Sequence, residues 1–166
     1  MPVLIGIPIL ALALIFQSAI LSHVMLLSAS ADLVLVVVVS WMMQERVKAM
    51  WEWGVIATVL VGFVSEFPMW GYLIGYAVVV VFGILLKRRV WRAPLLALFT
   101  MVFIGTLVMQ SVVFVVLRLL GTAIDPLQAF NQIILPSVLL NLLLAIPVNG
   151  LMREVAAWFY PDEGED

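Results

Sequence analysis

The side chains able to do chemistry are few, and most sit inside or beside long apolar runs. There is one histidine, His23, with Gln17, Ser18 and Ser22 shortly before it. An ionisable group within a membrane segment is a functional candidate by default. The residue-level reading of His23 is a neutral imidazole bonded to a serine or a backbone carbonyl near the outer membrane interface. A proton relay would need carboxylates at the same depth, and the candidates, Asp32 and Glu66, fall at expected helix ends. Asp32 is expected to cap the second helix, and Glu66 could pair with Arg118. Gln110, Asn141 and Asn149 lie in the last two apolar runs, where amides more often bind helices together than hold a ligand.

Enzymatic arrangements do not assemble from these residues. A serine hydrolase in the membrane needs a histidine on a helix facing its nucleophile, but His23 shares its helix with the nearest serines. No GxSxG, P-loop or dinucleotide fingerprint occurs. With no cysteine and one histidine, a thiolate or multi-histidine metal site cannot form within the chain. No enzyme activity, cofactor or metal is expected. A net charge of −2 gives no electrostatic capture of nucleic acid.

The elements that position these groups follow from composition. The 166 residues are 66% hydrophobic and 11% charged, with a mean hydropathy of +1.25. Eighteen charged residues cannot cover a soluble domain of this size, where about 25% is usual. The reading is an all-α polytopic membrane protein. Charges separate uncharged runs at 1–31, 33–44, 53–65, 67–86, 93–117 and 126–152. About 20 helical residues span a hydrocarbon core of about 30 Å. Four runs reach that length. The runs at 33–44 and 53–65 are read as short spanning helices with their charged ends in the headgroups. The expectation is a bundle of six transmembrane helices at about 3–27, 31–45, 52–66, 70–87, 94–118 and 131–158. These form one domain over 1–160, followed by an acidic tail at 161–166. Asp125-Pro126 reads as the start of a short surface helix, with Pro136 at the bend into the sixth span. Pro147 is expected to kink that span. The first run resembles a signal peptide at Ala29-Ser30-Ala31, but no basic residue precedes it and it is too long. It is read as a retained helix.

Basic residues then set the orientation. Arg46, Lys48, Lys87, Arg88, Arg89, Arg92 and Arg153 fall on one side of a six-span bundle and Arg118 on the other, which places both termini in the cytoplasm. Trp41, Trp51, Trp53, Trp91 and Trp158 are expected at the inner headgroup level and Trp70 at the outer one. The cluster Lys87, Arg88, Arg89 and Arg92 acts as a topology signal and could attract anionic membrane lipid. Small residues recur at Gly54, Thr58 and Gly62 and again at Gly71, Gly75 and Gly83. Such stripes let helices approach closely. They read as packing of the third helix on the fourth, or as a face for another membrane protein's helix.

Three patterns resemble the MreD family of bacterial rod-shape proteins. Ser30-Ala31-Asp32-Leu33-Val34-Leu35 is similar to that family's P-(D/N)-L-V-L start of the second helix, with Ala31 standing where the family has proline. Gly62 to Gly71, leading into Tyr72-Leu73-Ile74-Gly75-Tyr76, resembles its glycine-bearing hairpin, although the family's aspartate is absent there. The stretch from Ile133 to Val148 resembles its LP-x-x-L-x-N-x-L-x-x-P final helix. The resemblance implies a non-catalytic scaffold in the bacterial inner membrane. Its partners would be an MreC-like single-span protein, the RodA glycosyltransferase with its transpeptidase, and cytoplasmic MreB-like filaments. The alternative from size and helix number is the substrate-binding subunit of an energy-coupling-factor transporter, and a weaker one is a flippase-like lipid handler. A polar outward cavity would favour transport; a dry interior with lateral apolar faces would favour scaffolding.

Overall fold

In a computed structural model the described residues are 2–19, 29–45, 47, 50–87 and 93–160. They fold into six helices: α1 (Pro2–Ala19), α2 (Leu33–Met42), α3 (Trp51–Val64), α4 (Met69–Lys87), α5 (Pro94–Leu119) and α6 (Pro126–Phe159). His23, Ser22, Arg46, Lys48, Arg88, Arg89, Trp91, Arg92 and the tail at 161–166 lie outside the described residues. Among the described residues α4, α5 and α6 are long and apolar enough to cross a membrane, which fits a membrane protein.

The helix ends follow local chemistry. α5 stops in a Schellman turn: Thr122 N–H bonds to Leu117 O at 3.0 Å, and Gly121 N–H bonds to Arg118 O at 3.1 Å. This turn needs a left-handed residue, and Gly121 supplies it with φ of 90°. α6 opens as the Asp125-Pro126 pair dictates, with the Asp125 carboxylate accepting Gln128 N–H at 2.9 Å. The expected break between a surface helix and the last span is instead a continuous helix with a widened π turn at Phe130–Ile134. Pro136 follows directly. It has no N–H for an i−4 bond and crowds the preceding carbonyl, and a wider turn relieves that crowding.

α2 departs most from expectation. It has ten residues, about 15 Å of rise, and every one of them is buried. It is therefore no separate span with its two ends in the headgroups. It is a half-length core helix around which the others pack. Val34, Leu35, Val36, Val38 and Val39 are wholly enclosed by the other helices. Run length between charges could not show this; the valine-rich stretch from Leu33 to Val39 has no polar face to turn outward, so it fits the centre of a bundle.

The tryptophans divide in the same way. Trp51 and Trp158 are exposed, as headgroup anchors would be, and Trp70 is half exposed. Trp41 and Trp53 are wholly buried and stack with ring centroids 4.2 Å apart. Gly6 of α1 lies against the Trp53 indole, where a Cβ would come within 3.0 Å. The expected headgroup role of Trp41 and Trp53 is replaced by core packing. The near-parallel rings give each indole a close aromatic contact inside the bundle.

Candidate functional site: a buried helix capped at both ends

The start of α2 requires explanation, because a helix exposes unpaired N–H groups at its first turn. Here they meet side chains from three directions. Asp32 Oδ1 accepts Leu35 N–H at 2.9 Å, which is the expected N-cap. Gln17 Oε1 on α1 accepts Val34 N–H at 3.1 Å. Asn141 Oδ1 on α6 accepts Asp32 N–H at 2.8 Å. Asn141 is fully buried, and its Nδ2 donates to Thr106 Oγ1 on α5 at 2.9 Å. The Thr106 hydroxyl donates in turn to Val102 O at 2.7 Å. Four helices are thereby tied at one point. Thr106 lies near the middle of the 26-residue α5, so this polar node sits at mid-length of the long helices. Asp32 was expected at a membrane surface; the structure puts it deep.

The other end of α2 is closed as deliberately. Gln44 Nε2 donates to Ser40 O at 2.9 Å and to Asn149 Oδ1 on α6 at 3.0 Å. Lys87, the last residue of α4, donates from Nζ to Gln44 O at 2.6 Å and Val47 O at 2.9 Å. A cation at a helix C-terminus answers both the unpaired carbonyls and the negative end of the dipole. Lys87 was read as part of a basic cluster that signals topology or attracts anionic lipid. It is instead held by backbone carbonyls, and Arg88, Arg89 and Arg92 lie outside the described residues.

All three interior amides bridge helices, with Gln110 Nε2 reaching Ser137 Oγ at 3.2 Å between α5 and α6. The Glu66–Arg118 pair that a shared outer side would allow does not form. Arg118 donates to Ile124 O at 2.9 Å and lies over the Phe114 ring. Glu66 sits in the α3–α4 turn, which is closed by Ser65 Oγ and the Tyr72 hydroxyl at 2.9 Å. The ion pair among the described residues is Arg153–Glu154 on the surface.

The small-residue stripes are occupied by the chain itself. A Cβ on Gly54 would meet Val80 of α4 at 2.7 Å, and one on Gly62 would meet Met69 of α4 at 2.8 Å. Thr58 is buried between them, with its hydroxyl on Gly54 O at 2.9 Å. This is the expected α3–α4 packing. On α4, however, Gly75 faces Met109 of α5 and Gly83 faces Met42 of α2, while Gly71 packs on the Phe67 ring. These glycines are not a free face for a foreign helix. Sequence spacing located the stripe but could not say which neighbour filled it.

Two depressions among the described residues bear on function. One, of about 260 Å³, is apolar and runs between α3 and α4 past Trp51, Thr58 and Tyr76. The other, of about 520 Å³, is more polar and lies where α2 ends, α5 begins and α6 passes. Among the described residues no cluster of metal-binding side chains occurs. Compared with protein-family models, with curated proteins and with solved structures, the chain matches none.

Proposed function

We propose that this protein is a non-catalytic scaffold of the bacterial inner membrane, of the MreD kind. It would hold an MreC-like single-span partner and link RodA, its transpeptidase and MreB-like filaments. The observation that carries this reading is where the polar groups go. Gln17, Asp32, Thr106, Asn141, Gln44, Asn149 and Lys87 are all engaged in closing the ends of α2 or bridging helices. What the bundle offers outward is apolar flank, such as Leu12 and Ile15 on α1 and Leu143 on α6. A rigid plug with greasy sides suits lateral association better than catalysis. The resemblance of Asp32-Leu33-Val34-Leu35 and of the Leu135-Pro136 to Asn141 spacing supports the same view, since these residues start α2 and supply the amide that meets it. Both termini would lie in the cytoplasm.

Affinity recovery of the tagged chain from bacterial membranes, read by mass spectrometry, tests this. The expected result is co-recovery of a single-span protein with a periplasmic domain, together with a glycosyltransferase–transpeptidase pair. A lone chain that takes up or binds a solute would overturn it.

One observation favours the second reading, a small-solute transporter subunit. Helices that begin part-way through the bundle beside a carboxylate also build substrate sites in transporters, and α2 with Asp32 has that form. Equilibrium binding of vitamin-sized solutes to the purified chain separates the two.

A further inference from the structure

We propose that the 260 Å³ groove between α3 and α4 seats one acyl chain of a bilayer phospholipid and holds it more tightly than the lipid around it. The inference uses the membrane reading of α4 and is independent of the scaffold reading.

The groove's relief comes from side-chain size. Gly54, Thr58 and Ala77 are set among the larger Trp51, Leu73 and Val81. Nothing in it asks for a polar ligand. No charged residue lines it. The Thr58 hydroxyl is already donated to Gly54 O at 2.9 Å, and Tyr76 is buried, so its hydroxyl is not presented to an incoming group. The rim opens sideways, with Val55, Leu73 and Val81 about half exposed. What surrounds such a rim on a spanning helix is lipid.

Dimensions then select the occupant. On α3 the lining runs from Trp51 to Thr58 and on α4 from Leu73 to Ile84, rises of about 10 and about 16 Å. One leaflet of the hydrocarbon core is about 15 Å deep, half of about 30 Å. The groove has the length of one acyl chain. Trp51, exposed in the first turn of α3, stands at the headgroup level that tryptophan prefers. Ile84 lies three residues before the end of α4 at Lys87. The groove therefore starts near one interface and runs inward. A transmembrane helix is about 10–12 Å wide and must cross the full depth. A second copy of this chain would need about 20–30 residues on each side, and ten line the groove.

Packing supplies the affinity. Lipid tails are as apolar as leucine, so an acyl chain gains nothing merely by leaving the bilayer. Lying in a groove, it touches protein on several sides, and a flat helix flank cannot match those dispersion contacts.

The full chain has no cysteine, so single labels can be placed cleanly. Val81→Cys carries a bimane on the groove rim, and Leu143→Cys, 73% exposed on α6, carries one on an ordinary lipid-facing flank. Phospholipid with brominated acyl chains is titrated into each in mild detergent. The Val81 label is expected to quench saturably, at a single lipid per chain, and the Leu143 label in simple proportion to added lipid. Ala77→Phe fills the groove from an exposed position on α4 and should weaken the saturable quenching about fivefold. Val55→Phe should do the same from α3. Ile74→Phe, exposed on α4 outside the groove, should leave it unchanged. Size exclusion and circular dichroism check that each variant folds. Parallel, unsaturable quenching at both labels would mark ordinary surrounding lipid and overturn the proposal, as would unchanged quenching in folded Ala77→Phe and Val55→Phe chains. Near-complete disulfide-linked dimer through unlabelled Val81→Cys in membranes would assign the groove to a second copy and overturn the acyl chain. Cross-linking from that position to another membrane protein's helix would overturn it likewise.

Discussion

α2 and α6 are both strongly apolar, yet they stand in opposite environments. Every residue from Leu33 to Met42 is buried, whereas a third of the most apolar window of α6 is. The difference lies in length and in end chemistry. α6 is long enough to reach water at both ends, so its apolar residues can face lipid. α2 rises only about 15 Å, so one of its ends must stay at depth. In hydrocarbon an unpaired backbone group costs several kcal/mol. A half-length helix is therefore stable only where other helices bring polar side chains to its ends. Gln17, Asp32 and Asn141 do this at one end, Gln44 and Lys87 at the other. Hydrophobicity alone does not mark a span.

The contrast can be broken most forcefully by matched truncations. Leu35→Ala, at a fully enclosed site, should lower stability by about 3 kcal/mol through the cavity it leaves. Leu143→Ala, 73% exposed on α6, should change it by less than about 0.5 kcal/mol. Denaturant unfolding in detergent micelles measures both, and equal effects would mean that α2 is not central.

Asn141→Ala comes next. It orphans the Asp32 N–H and removes the Nδ2 donor to Thr106 Oγ1, and a loss of about 2 kcal/mol is expected by the same unfolding measurement. An Asn141→Ala chain as stable as the wild type would show that the start of α2 finds other partners.

Lys87→Met keeps the stem of the side chain but removes the donor to Gln44 and Val47. A loss of about 1.5 kcal/mol is expected, with faster hydrogen exchange at the end of α2 than at its start.

The smallest effect belongs to Asp32→Asn. Asparagine caps about as well as aspartate, so stability should move by less than about 0.5 kcal/mol. A folded Asp32→Asn chain that loses function in a cell-shape complementation assay would sharpen the comparison differently: the charge at the head of α2 would then serve the activity and not the fold.

Much of this was legible in the residues. Asp32 and Asp125-Pro126 announced helix starts, because a short acceptor before an apolar run can pair with little else nearby. Gln110, Asn141 and Asn149 announced inter-helix bonds, because a buried amide must find a partner. Other signals were ambiguous in one dimension. Trp41 and Trp53 have the composition of an interface belt, and only their 4.2 Å stack separates core from rim. Lys87 sits in a basic run that reads as a topology signal, and only the folding of α4 against α2 brings its ammonium to the Gln44 carbonyl. Glu66 and Arg118 were assigned to one side by helix counting, which fixes a side but not a distance.

By itself the sequence determined the solvent: too few charges to cover a water-soluble surface, and runs long enough to cross a bilayer. It also determined most helix termini, since those depend on neighbours a few residues apart. Only the tertiary structure decided which apolar helix is enclosed, which glycine meets which side chain, and that Gln17, Asp32 and Asn141 meet at one depth. Those facts join residues up to 109 positions apart along the chain, and such separations are set by how the helices pack rather than by any local preference.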